Sequence, residues 1–232
     1  AAYGDSSAWE AALVNGSATA PSETALERLA ICYHADTQPC AAGWASWCLS
    51  FDPDTTSIDW RVPVPSISAV SLPSGVSATT FKTNLRGVPG TDLGNAINVP
   101  LPYGSSSVFM DPGVMQSERP IYVVYTADWF QARLEARLAD LVLQNASVGA
   151  KLPLSPAGQA AIVNLIETLY QEGVVAGHFL SRPAAAELGA TVTIRAETIT
   201  PTDRSLRRLR FTVGLPVLQG ARVLNIAVTI TE

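Results

Sequence analysis

The chain has 232 residues, 47% of them hydrophobic and 15% charged, with a formal net charge of −5. That length and apolar content suffice for a core in one large domain or two small ones. The acidic balance supplies no electrostatic footprint for nucleic acid, no apolar run reaches the roughly 18 residues that cross a bilayer, and no basic segment precedes an apolar one as in a secretory signal. So few charges on so apolar a chain fit either a surface partly covered by other subunits or an ordinary apolar-rich globular domain.

The N-terminal part reads as helical, then extended. Residues 6–14 (SSAWEAALV) predict a short helix closed by Asn15-Gly16. A firmer helix begins at Pro21-Ser22, with Ser22 as cap and Leu26, Leu29 and Ile31 as apolar contacts. In residues 38–49 (QPCAAGWASWCL), alanines and Gly43 permit close helix packing, and Trp44 and Trp47 are expected to seal it. Prolines 53, 63, 65 and 73 then mark extended chain with edge strands, and residues 66–72 alternate polar and apolar like a half-buried strand. Repeated proline and glycine between 87 and 120 predict a long irregular connection that ends at a domain seam. Residues 1–119 therefore form a helical and extended region, and 120–232 a separate C-terminal domain.

In that second half, residues 121–125 (IYVVY) are β-branched and aromatic and predict a buried strand. Asp128 follows as an N-cap with Gln131 in the capping-box position. Phe130, Leu134, Leu138, Leu141 and Val142 recur at helical spacing, opposite Arg133, Arg137, Asp140 and Gln144. Ser155-Pro156 starts a second helix with Ile162, Leu165, Ile166 and Leu169 as its stripe and Gly173 as the left-handed residue that ends it. Strands follow at 191–195, 209–213 and 222–231, with a turn at 200–203. Two amphipathic helices need cover, so the expected class is α+β: a mixed sheet packed by two amphipathic helices, preceded by the helical and extended region.

Little here suggests catalysis. Cys32, Cys40 and Cys48 lie eight residues apart, unlike the close pairs of structural zinc sites, and an odd count in a non-secreted chain predicts reduced, buried thiols. A Cys–His nucleophile pair would need an orienting third group and a cleft. There is no Gly-x-Ser-x-Gly elbow, phosphate-cradling glycine loop or dinucleotide fingerprint. Asp52 and Asp54 read as solvated loop carboxylates, and His178 as a capping or surface residue. The expectation is a protein that is not an enzyme and holds no metal or cofactor. One charge feature remains: four arginines within residues 204–210 of an acidic chain. A solvated hairpin turn accounts for it. So does a basic contact for an acidic neighbour, in which Arg204, Arg207 and Arg208 dock the chain through carboxylate-binding forks.

Three segments occur in a telling order: Asp128-Trp129; Lys151-Leu152-Pro153-Leu154-Ser155-Pro156-Ala157-Gly158; and Gly173-Val174-Val175-Ala176-Gly177. With the preceding stretch 81–113 (FKTNLRGVPGTDLGNAINVPLPYGSSSVFMDPG), they resemble the C-terminal half of contractile phage tail sheath proteins, in the branch known as a sheath-like family of unknown function. The likeness covers the chain from about residue 80 to its end. It implies a structural subunit that polymerises with copies of itself as stacked rings around a tail tube protein. Baseplate and tail terminator proteins would be its further partners, with no cofactor, nucleic acid or membrane. Its place would be the virion tail, assembled in the host cytoplasm, and its work contraction that drives the tube through the host envelope. The resemblance also implies that the terminal strand, with Arg222, Leu224, Ile226, Val228 and Ile230, either completes its own sheet or augments a neighbour's. A sheath-related baseplate or tail cap component is the alternative, and a small cytosolic enzyme with a cysteine nucleophile is the third reading.

Overall fold

The chain divides into two units, Ala1–Phe51 with Ile58–Val124 and Asp52–Ser57 with Tyr125–Glu232. The computed structural model describes residues 30–34, 40–60, 63, 67–69, 97–103, 107–111, 113–115, 119–218 and 223–231, the last as backbone. The helices expected at 6–14 and after Ser22 lie outside these residues, save that Ile31 enters a strand.

In the first unit, β1 (Ile31–Cys32) runs parallel to β2 (Ile97–Tyr103), which pairs antiparallel with β3 (Ser107–Asp111). This is the mixed sheet of the molecule. The stretch 87–120 was expected to be irregular; its described part holds this hairpin instead. Pro100 and Pro102 share one parity, so their missing N–H groups both fall on the side of β2 away from the β3 ladder. The prolines therefore cost the β2–β3 ladder no rung, and they follow Ile97 and Asn98, the two residues that pair with β1 on that other side. Buried Asn98 binds the layers together. Its Nδ2 donates to the carbonyls of Ile31 (2.9 Å) and Val114 (2.8 Å), and its Oδ1 accepts from the Val114 amide at 2.9 Å.

Helix α1 (Cys40–Leu49) buries Cys40, Trp44 and Cys48, a row spaced four residues apart on one face. Trp44 meets the Trp60 ring edge-on at 5.6 Å and donates its indole N–H to the Trp60 carbonyl at 3.0 Å. Gly43 is the close-packing position: a Cβ there would lie 3.2 Å from Ile67 Cδ1. Trp47 was expected to seal this helix, yet it is exposed and packs edge-on against Phe51. The alternation at 66–72 gives no strand over 67–69, and its other residues lie outside the described ones.

Helix α2 (Ile121–Ser147) corrects the strand expected at 121–125. Those residues form its first turns, with the Ile121 amide donating to Gly113 O at 2.9 Å. β-Propensity spans only about 1 kcal/mol and yields to packing. Here Ile121 is buried with its amide held by Gly113 O, and the buried face of Thr126, Trp129, Phe130 and Leu134 follows along the same helix. Asp128 is therefore a mid-helix residue and not an N-cap.

Helix α3 (Pro156–Val175) begins where its residues predict, with Ser155 extended (φ −147°) at the cap position and Pro156 in the first turn, but the Ser155 side chain makes no capping bond. Its end differs. Gly173 stays helical, and the left-handed residue is Gly177 at φ +82°. The His178 amide donates to Gly173 O (2.7 Å) and the Gly177 amide to Val174 O (3.2 Å), which together close a Schellman motif. Gly173 serves packing instead, because a Cβ there would sit 2.5 Å from the Phe179 ring.

A short α4 (Arg182–Glu187) leads to β4 (Thr193–Ala196), α5 (Pro201–Ser205), β5 (Arg208–Pro216) and β6 (Val223–Thr231). Order is β4-β5-β6, and both pairings are antiparallel, so the C-terminal sheet is not the mixed one expected. The reason is connectivity: α5 and the link after Pro216 are too short for the crossover that a parallel neighbour requires. Helices α2 and α3 cover this sheet through Trp129, Phe130, Leu134, Ile162, Ile166, Leu169 and Tyr170, packed with Phe179 and the β5 row Leu209, Phe211, Val213 and Leu215. The class is α+β.

Candidate functional site

The arginine-rich turn is built on Asp203. Thr200 caps α5 with its hydroxyl, which accepts from the Asp203 amide at 3.1 Å, and Asp203 returns the bond by accepting from the Thr200 amide at 3.0 Å. This is a capping box with aspartate in the third position, so residues 200–203 form a helical start and not a plain turn. The carboxylate also accepts from the Thr200 hydroxyl (2.5 Å), Arg208 Nε (2.6 Å) and Arg210 Nη2 (3.1 Å). Asp203 is 2% exposed, and these donors, the Thr200 hydroxyl first and Arg208 next, hold its carboxyl well below the usual carboxylate range. Arg210 reaches Glu197 as well, at 3.3 Å.

Of the three arginines singled out for docking, Arg208 is thus committed to Asp203 within the chain. Arg204 and Arg207 are exposed on and just after α5, and no ion pair to either occurs among the described residues. Arg207 adopts a left-handed φ of 50°, which turns the chain sharply into β5. Arg222 lies outside the described residues. A Thr-x-x-Asp pattern at 200–203 was the available signal for the Asp203 hub.

The terminal strand pairs with its own chain. Leu224, Ile226, Val228 and Ile230 stand opposite Leu215, Val213, Phe211 and Leu209 in the β5 register, level with the core row of that strand. Among the described residues β6 forms one edge of the sheet, so its far side presents backbone donors and acceptors in a row.

A second constellation surrounds His178, which is buried and not a surface residue. Its ring stacks on Trp129 with centroids 4.3 Å apart. Nε2 lies 2.7 Å from the Pro53 carbonyl, which only accepts, so Nε2 carries the proton and Nδ1 accepts from the Thr126 hydroxyl at 3.1 Å. Asp54 is likewise no mere solvated carboxylate: its Oδ1 accepts from Trp129 Nε1 (2.9 Å) and Arg133 Nε (2.8 Å), and Oδ2 from Arg133 Nη2. The segment Asp52–Ser57 is thereby clamped to α2 and the α3 exit, with Ser57 donating its amide to Ala176 O at 2.6 Å.

Burial pushes the His178 imidazole pKa down, and the bond to Pro53 offsets this in part. The unfolded chain therefore binds a proton first as pH falls. Stability is full above the unfolded value near 6.5 and is lost as pH drops through it towards the folded value. Between pH 7.5 and 5.5 the urea unfolding free energy is expected to fall, with a limiting slope of about 1.4 kcal/mol per pH unit for one proton. His178→Asn should remove that slope whatever it does to the midpoint; an unchanged slope would show that another group is responsible.

Among the described residues no three histidine, cysteine, aspartate or glutamate side chains cluster to hold a metal, and no helix is long and apolar enough to cross a membrane. No protein-family model matches the chain, and neither does any characterised protein.

Proposed function

We propose that this chain is a structural subunit of a contractile phage tail sheath, which stacks with copies of itself around a tail tube. The observation that carries the reading is where the residues behind the resemblance lie. Trp129 stacks on His178, Gly158 leaves no room for a Cβ beside the Pro153 carbonyl, and Gly173 and Gly177 form the notch and turn that seat Phe179. The motif positions thus hold one helical pair against one sheet. Two surface features suit polymerisation. The β6 edge offers main-chain groups to a neighbour's strand, and Arg204 and Arg207 offer cations to an acidic partner surface. Contraction would then be a shift between two packings of such interfaces, with no chemical step.

Electron microscopy of the purified chain, alone and with tail tube protein, tests this. Hollow striated cylinders are expected. Arg204→Glu with Arg207→Glu should slow their formation about tenfold at low salt, and by less at high salt, as steering charges do. A monomer or small closed oligomer under every condition would sink the sheath reading and favour a baseplate or cap component.

A further inference from the structure

The first unit brings together two thiols whose partnership the spacing of the cysteines does not indicate. Cys32, in β1, and Cys40, at the first residue of α1, have their sulfurs 2.7 Å apart, with the Met110 thioether 3.9 Å from Cys32. Both are free thiols, and their separation exceeds a disulfide bond of about 2.05 Å by well under an ångström. Cys48 lies eight residues beyond Cys40 on the same helix, a rise of about 12 Å at 1.5 Å per residue.

We propose that Cys32 and Cys40 are a redox-sensitive modification site, which peroxide closes into a disulfide that staples β1 to the start of α1. This does not rest on the assembly proposed above.

The two sulfurs are differentiated for the reaction. Either sulfur can donate the hydrogen bond they share; with Cys32 as the donor its thiol is raised and that of Cys40 lowered, and burial raises Cys32 further. Cys40 also sits at a helix N-terminus, where thiolates are favoured. Cys48 is pushed up to about 12 by burial and by the Asp59 carboxylate. In the first step the Cys40 thiolate attacks one oxygen of hydrogen peroxide. The S–O bond forms, the O–O bond breaks, and the departing hydroxide takes a proton from solvent, which leaves water and a Cys40 sulfenic acid. In the second step the Cys32 sulfur attacks Cys40 Sγ. The S–S bond forms, the S–O bond breaks, and the departing hydroxide leaves as water with the Cys32 proton. Two thiols and one peroxide give one disulfide and two waters.

The chain carries its own control, because Cys32–Cys40 and Cys40–Cys48 enclose loops of equal length. In the unfolded chain, loop closure favours neither pair. The experiment treats the intact protein with hydrogen peroxide, folded or in denaturing urea, blocks residual thiols after denaturation, and maps linkages in chymotryptic peptides, since Tyr33, Trp44 and Trp47 separate the three cysteines. In urea the two linkages should form in similar yield. In the folded protein the ratio should move at least about tenfold towards Cys32–Cys40, because those sulfurs are already in place. Cys48→Ser should leave the folded yield unchanged. The proposal is overturned if the folded ratio matches that in urea, if Cys32 and Cys40 end as free thiols or sulfinic acids, or if the linkage forms between two copies.

Discussion

Phe179→Ala is expected to destabilise the second unit by about 3–5 kcal/mol, as for a buried phenylalanine that leaves a cavity. Phe179 is almost wholly buried, and its ring centroid lies 5.6 Å from Phe130, 6.2 Å from Tyr170 and 6.3 Å from Trp129. Its backbone is fixed too, since it bridges to Val217 while the neighbouring Leu180 amide donates to Pro216 O at 2.9 Å. The ring cannot follow a changed neighbour, and the site cannot collapse easily. Gly173 offers the reciprocal test. A Cβ there would lie 2.5 Å and 2.7 Å from two ring carbons of Phe179 and 3.1 Å from Trp129. Gly173→Ala alone should cost about 1–3 kcal/mol through overpacking. Combined with Phe179→Ala it should cost much less, because the obstructing ring is gone. Urea titration followed by hydrogen exchange of α3 amides reads this cycle. Strict additivity would show that the glycine serves another purpose.

Gly158→Ala should be the most damaging single methyl addition, at about 1–3 kcal/mol or beyond. The added Cβ would stand 2.0 Å from the Pro153 carbonyl oxygen, a backbone atom that cannot rotate aside. That carbonyl also accepts from the Ser155 amide at 2.9 Å, so relieving the clash disturbs the turn that launches α3. Gly149→Ala is the comparison. Gly149 has φ +71° and a Cβ there would meet nothing within 4 Å, so only backbone strain of about 1–2 kcal/mol opposes the change. Thermal unfolding should rank Gly158→Ala below Gly149→Ala; the reverse order would mean that the connection before α3 shifts without resistance.

The acidic hub under the arginines was only half legible. Four arginines in seven residues announce themselves in a chain of net charge −5. Which of them faces outward depends on Asp203, whose box with Thr200 buries a carboxylate that then captures Arg208 and Arg210. His178 gave no sign of burial, because its partners Thr126 and Pro53 are 52 and 125 residues away in the chain.

Residue chemistry that acts over a few positions was decided by the sequence itself. Ser155-Pro156 starts a helix because proline's fixed φ suits the first turn, and the alternating runs near 193–196, 208–216 and 223–231 lie in strands because a period of two leaves one face apolar. Tertiary structure decided the rest. Residues 121–125 became helix because they are the first turns of a long helix anchored at both ends of this stretch, by the Ile121 amide on Gly113 O and by the buried face that begins at Thr126, which outweighs a small strand preference. Gly173 became a packing notch because Phe179 returns over it. Cys40 faces Cys32 and not the equally spaced Cys48, because a rigid helix holds one pair apart while β1 packs beside the start of that helix. Equal spacing carries no information about which pair meets; only the packing of strand against helix does.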